Sequence, residues 1–207
     1  QNIIIILDAS DSMNQSMGGT PKIQLAKDAV LQTLSNLPPN IRVGLRVYGH
    51  RFVGHQNIFS ALKNDAANCQ QTELMVPLGF NNRGQIAQRV QSIQAVGKTP
   101  ISYAIQRSLA QDFAGSTGNN HIILVSDGRE TCSQNPCDLA LSLVRSGVNV
   151  KINTIGFGLT DYVAQDQLKC VAATTKGKFY DAQTAAQLVG GLQETVTNVN
   201  ARIITRP

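Results

Sequence analysis

Ile3-Ile4-Ile5-Ile6-Leu7-Asp8-Ala9-Ser10-Asp11-Ser12-Met13 joins an unbroken branched-aliphatic run to a dense set of oxygen-bearing side chains. The run has neither the 3.6-residue period of a surface helix nor the alternation of a half-exposed strand. It reads as a strand buried on both faces in the middle of a parallel sheet. Open parallel sheets bind ligands just beyond the carboxyl ends of such strands, which is where Asp8, Ser10 and Ser12 fall. A second stretch, His121-Ile122-Ile123-Leu124-Val125-Ser126-Asp127-Gly128, repeats the design.

Working outward, Gly18-Gly19-Thr20-Pro21 predicts a turn and a helix start, with Thr20 as N-cap and Pro21 at the first helical position. Ile23, Ala26, Val30, Leu34 and Leu37 recur at helical spacing up to Pro38-Pro39. Ile41 to Gly49 alternates apolar residues with Arg42, Gly44 and Arg46 and reads as a half-exposed strand. His50 to Gln70 reads as a long irregular connection with an apolar patch at Ile58 to Leu62. Thr72 to Leu78 is the next strand; Pro77 assigns it to an edge, and the lack of an intervening helix makes it antiparallel to its predecessor. Helices are predicted over 85–94, over 101–113 after Thr99-Pro100, from Cys137 to Arg145, over 161–174 and over 184–200, with strands at 148–157 and 177–180. This alternation predicts one domain over 1–207: an α/β, doubly wound, mostly parallel sheet with helices on both faces and one antiparallel edge strand.

Composition narrows the function classes. At 207 residues a chain buries roughly 70% of its unfolded surface, so the core needs no covalent staples. The net charge is +5, but Lys and Arg are scattered and aromatics are few, which argues against nucleic acid as a partner. No stretch reaches the ~18–20 apolar residues of a membrane-spanning helix. The first residues already read as core strand, so the expectation is an excised domain or processed chain without a signal peptide. Of four cysteines, Cys132 and Cys137 bracket a short Pro-containing loop suited to a local disulfide, a reading preferred over four reduced cysteines packed as small hydrophobes; if the bond forms, the expected setting is outside the cytoplasm. Cys69 and Cys170 are expected toward opposite sheet edges and unpaired with one another.

If both aliphatic strands are parallel and central, Asp8 and Asp127 emerge at one sheet edge, with Ser10, Ser12 and Thr99 adding hydroxyls. Five hard oxygen donors without His or Cys point to a divalent cation, Mg²⁺ first and Ca²⁺ or Mn²⁺ as alternatives, rather than zinc. Taken singly, these residues could equally be helix caps and loop carboxylates.

The order Asp8-x-Ser10-x-Ser12, Thr99, Asp127 resembles the metal-ion-dependent adhesion site (MIDAS) of von Willebrand factor type A domains. Tyr48-Gly49-His50-Arg51, Asp127 to Cys132 and Ile155-Gly156-Phe157-Gly158 resemble a bacterial subgroup of that family. The resemblance implies that Ser10 and Ser12 ligate the ion directly, Thr99 directly or through water, and Asp8 and Asp127 largely through water. It also implies a protein partner whose Asp or Glu completes the shell. Asp11 stands where many relatives have Gly; a solvated loop residue is the preferred reading over metal tuning. His50, His55 and Arg51 read as exposed loop residues, and Glu130 as near the ion or on its rim. The expected function is therefore a non-catalytic, metal-dependent binding module. The alternatives are a metal-dependent phosphate-ester hydrolase, which lacks a second Asp at position 10 or any legible nucleophile–base set, and a cytosolic assembly subunit.

Overall fold

The computed structural model describes residues 1–54 and 65–204; His55 and the Ile58–Leu62 patch lie outside the described residues. Strands β1 (Asn2–Asp8), β4 (Arg42–Tyr48), β5 (Thr72–Gly79), β6 (Asn120–Ser126), β7 (Val150–Phe157) and β8 (Phe179–Ala182) form a six-stranded sheet in the order β5-β4-β1-β6-β7-β8. A two-stranded hairpin, β2 (Ser16–Met17) and β3 (Thr20–Pro21), stands apart from it. β1 runs parallel to β4 and β6, while β5 lies at the edge, as Pro77 predicts, and is antiparallel to β4, as the lack of an intervening helix predicts.

The aliphatic run behaves as its lack of period requires. Ile3, Ile5 and Leu7 join a core with helices α1 (Lys22–Ser35), α2 (Arg83–Gln91) and α6 (Ala185–Ile204) on one face. Ile4 and Ile6 face α3 (Ile101–Arg107), α4 (Pro136–Arg145) and α5 (Tyr162–Thr174) on the other. Burying each such side chain contributes about 1.5–3 kcal/mol, so β1 pins the sheet from both sides.

Local expectations need four corrections. Thr20 and Pro21 pair with Met17 and Ser16 instead of opening the helix, and α1 begins at Lys22, whose N–H donates to the Gln15 carbonyl. The helix after Pro100 runs only to Arg107 and continues as a π turn over Ser108–Asp112. β4 is not half-exposed: Val43 to Tyr48 are all buried, because Arg46 is neutralised in place by Asp112 from that π turn.

The fourth correction concerns the cysteines. The disulfides are Cys69–Cys132 and Cys137–Cys170, not Cys132–Cys137. Asn135 caps α4 by accepting from the Cys137 N–H, which makes Cys137 a helical residue, and α4 packs beside the α5 helix that carries Cys170. Cys132 belongs to the loop after β6 and meets Cys69 from the connection between β4 and β5. Since β4 and β6 flank β1, that bond spans the end of the central strand.

Candidate functional site: two carboxylates and three hydroxyls at the end of the central strands

Register brings the site together. Leu7 pairs with Val125, so Asp8 leaves the sheet level with Ser126 and next to Asp127. Asp8 is fully buried; its Oδ1 accepts from the Ser10 N–H at 2.7 Å and its Oδ2 from the Ser126 hydroxyl at 2.6 Å. Ser126 accepts in turn from the Tyr48 phenol at 3.0 Å. Burial first, and then the neighbouring Asp8 charge, push the Tyr48 phenol up, so it remains a donor. Ser10 Oγ lies 3.1 Å from Ser12 Oγ, and Ser12 donates to Asp127 Oδ1 at 2.6 Å. Four of the five expected residues thus form one hydrogen-bonded cluster.

Thr99 arrives by a different route. Ser10 and Gly97 form an isolated parallel bridge, and the Asp11 N–H donates to the Gly97 carbonyl at 3.0 Å. Two residues on, Thr99 exchanges two hydrogen bonds with Thr131, accepting from its N–H and donating its own N–H to the Thr131 hydroxyl. Thr99 is 4% exposed, beside the loop that carries Asp127, and acts as no helix cap; Pro100 occupies that position. Glu130 supplies what a cap would, accepting from the Ser102 and Cys132 N–H groups at 2.8 and 3.0 Å. It therefore ties the loop after β6 to the start of α3, and burial raises its carboxyl above the usual range despite these bonds.

Glycines make this approach of backbones possible. Gly49 has φ +71°, and a Cβ there would lie 2.6 Å from the Lys98 carbonyl oxygen and 2.7 Å from Ser10 N. A left-handed residue in contact with two site loops explains the Tyr48-Gly49 pair. Gly49→Ala is expected to cost about 1–3 kcal/mol in urea denaturation and to disturb the Ser10 loop. Gly84→Ala, in α2 with open space around it, is the control expected to be neutral or slightly stabilising. Equal behaviour of the two variants would refute the packing role of Gly49.

The remaining sequence candidates lie at the margin. Asp11 is exposed and accepts from Asn14 Nδ2 at 3.3 Å, the local role preferred for it. His50 is not an exposed loop residue: its side chain is buried and Nε2 lies 3.1 Å from Glu73 Oε2 on β5. Arg51 is exposed and pairs with the same carboxylate. Lys22 was invisible to pattern reading, yet its Nζ lies 3.0 Å from Asp127 Oδ2. No residue spacing marks it, since a lysine at a helix start is ordinarily solvated.

The donor set suits a hard divalent cation. Among the described residues, no group of three or more His, Cys, Asp or Glu side chains is placed to hold a metal ion, so an ion here would depend on the hydroxyls as well as on the two carboxylates. Two buried carboxylates face each other across the serine hydroxyls with a single ammonium against them, which leaves one negative charge uncompensated. Burial, then the Asp127 charge, push the Asp8 carboxyl from its ordinary 3.8 up to about 6. Cation charge at this point would offset both the burial of the Asp8 charge and its repulsion from Asp127.

Comparison with known proteins bears on the family and the fold. The profile of the von Willebrand factor type A domain matches residues 2–195. The uncharacterized protein YwmD of Bacillus subtilis is 30% identical over 185 residues, covering 89% of this chain and 80% of YwmD. Among solved structures, the von Willebrand factor domain of the type V pili tip protein Mfa5 from Porphyromonas gingivalis superposes with a TM-score of 0.73 at 15% identity, covering 99% of this chain and 96% of that one. Proximal thread matrix protein 1 from the mussel byssus, solved with zinc in its MIDAS motif, gives 0.68 at 18% identity, covering 95% of this chain and 45% of its own. At these identities the two structures speak to the fold.

Proposed function

Because this chain belongs to the von Willebrand factor type A domain family, we propose that it is a non-catalytic, metal-dependent protein-binding module whose partner offers an Asp or Glu carboxylate. The observation that carries this reading is the linked set Asp8–Ser10–Ser12–Asp127 at the carboxyl edge of the sheet. Ser10, Ser12 and Thr99 would hold a divalent cation directly, with Asp8 and Asp127 around it, Mg²⁺ being the first choice. When bound, the ion supplies a positive point to which the partner's carboxylate attaches.

The protein's own side chains do the rest. Ser126 and the Ser10 N–H fix both oxygens of Asp8, so the carboxylate cannot swing outward and compete with the partner. The Cys69–Cys132 bond and Glu130 hold the loops on either side of β1 in place, giving a partner a preorganised surface. Tyr162, 80% exposed, and half-exposed Val163 begin α5 at the same edge, where Asp161 pairs with Arg129. An aromatic and apolar rim beside a charged centre suits a protein ligand. Neither described histidine assembles a nucleophile–base pair there: His50 is bonded to Glu73, and His121 lies at the opposite end of β6.

Two disulfides support an oxidising, extracytoplasmic setting and weigh against the cytosolic assembly role.

Ser10→Ala and Asp127→Ala are expected to abolish Mg²⁺ binding in calorimetry while leaving far-UV circular dichroism unchanged. Immobilised domain should capture envelope proteins of its source organism in Mg²⁺ and release them in chelator. Capture that is the same in chelator, or the same for both variants, refutes the reading.

A further inference from the structure

Asp127 already has a cation. Lys22 is 7% exposed, the Asp127 side chain is fully buried, and they meet at 3.0 Å. Nζ also lies 3.4 Å from the Gly158 carbonyl and 3.5 Å from Gln15 Oε1. Lysine is rarely buried unless its charge is matched, so this placement is built. The chain builds it in three ways. The β2–β3 hairpin turns through Gly18 and Gly19, both at positive φ, and delivers Lys22 to the head of α1. The Lys22 N–H is fastened to Gln15. Gly158, at φ +62°, leaves the floor open: a Cβ there would lie 2.4 Å from Met17 Cε and 3.1 Å from Lys22 Cε. The Ile155-Gly156-Phe157-Gly158 motif thereby ends in a socket for the lysine stem.

Both oxygens of Asp127 are engaged, Oδ1 by Ser12 and Oδ2 by Lys22. We propose that Lys22 is a tethered counter-cation that competes with the divalent ion for Asp127, holding the metal-free site together and lowering its metal affinity. This rests on the metal-site reading above. Like charges a few ångströms apart in a partly dehydrated site repel strongly, so an ion entering beside Asp127 must displace the ammonium or bind against it. Displacement pulls on Lys22 at the start of α1 and on the hairpin attached to it, which links metal occupancy to the β2–β3 hairpin on the rim.

The experiment is Mg²⁺ and Mn²⁺ titration of wild type, Lys22→Met and Lys22→Arg by calorimetry, with urea denaturation in chelator. Lys22→Met is expected to raise affinity about tenfold or more and to lower metal-free stability. Lys22→Arg, which keeps the charge, should bind no more tightly than wild type. In an Asp127→Asn background, Lys22→Met should lose most of its destabilising effect. If Lys22→Met does not fold in chelator, Lys22→Gln, which removes the charge but can still donate to Asp127, replaces it in the titration. Wild type that binds Mg²⁺ with a Lys22→Met variant binding no tighter overturns the competition while leaving the metal site standing. Absence of binding in every protein overturns both.

Discussion

Asp112→Ala is expected to cost about 3–5 kcal/mol of folding stability. Arg46 is 2% exposed in the middle of β4, and its Nε and one terminal nitrogen reach the two Asp112 oxygens at 2.7 and 2.6 Å. Its other terminal nitrogen donates to Thr72 Oγ1 on β5 at 3.2 Å. Removing the carboxylate leaves a guanidinium that cannot lose its proton and has one neutral acceptor left. The damage comes from the orphaned charge, not from a lost attraction, and this makes the prediction specific. Arg46→Met combined with Asp112→Leu should recover most of the loss, because similar volumes of apolar side chain fill the same space. Urea denaturation of the single and double variants decides it. A loss below about 1 kcal/mol for Asp112→Ala would mean that water reaches Arg46.

The same pair shows where pattern reading stops. Alternation in Ile41 to Gly49 is real, but placing Arg42 and Arg46 on one face says only that this face is polar, not that it is wet. The partner lies on a π turn 66 residues away that helical periodicity over 101–113 conceals. Cysteine pairing failed for a related reason: closeness in sequence favoured Cys132 with Cys137, whereas the start of α4 between them turns Cys137 toward α5. By contrast, β1 was legible because a run without period has one stable environment. The site was legible because β-strand register converts two distant Asp positions into neighbours. Lys22 was not, since a tethered cation depends on the hairpin and on the empty floor at Gly158, neither of which has a period.

Asp8 gives the second large effect, whose size depends on pH and whose sign depends on the cation. In the metal-free fold, burial and the Asp127 charge hold its carboxyl at about 6, against an ordinary 3.8. A carboxyl that keeps its proton more tightly when folded opposes folding once it ionises. Below about 3.8 both states are protonated and no penalty exists; the penalty grows between 3.8 and about 6 and is complete above that. Metal-free protein should therefore lose stability as pH rises through this window, by up to about 3 kcal/mol. Asp8→Asn removes the charge without orphaning its neighbours. The introduced amide oxygen can accept from the Ser10 N–H, and the amide nitrogen can donate to Ser126, whose own proton can turn to the Gly128 carbonyl 3.1 Å away. In chelator at about pH 7.5 the Asp8→Asn variant should be the more stable protein, and the gap should close toward about pH 4. Saturating Mg²⁺ should reverse the order at neutral pH, because cation charge offsets the repulsion in wild type and has less to offset in the variant. Guanidinium denaturation over this pH range, with and without Mg²⁺, measures all three. Parallel pH profiles in chelator would remove the burial of Asp8 as a source of strain, and equal stabilisation of both proteins by Mg²⁺ would place the ion away from Asp8. The outcome expected here instead makes the site unstable by design until a cation arrives, with Lys22 supplying only part of the charge that two buried carboxylates require.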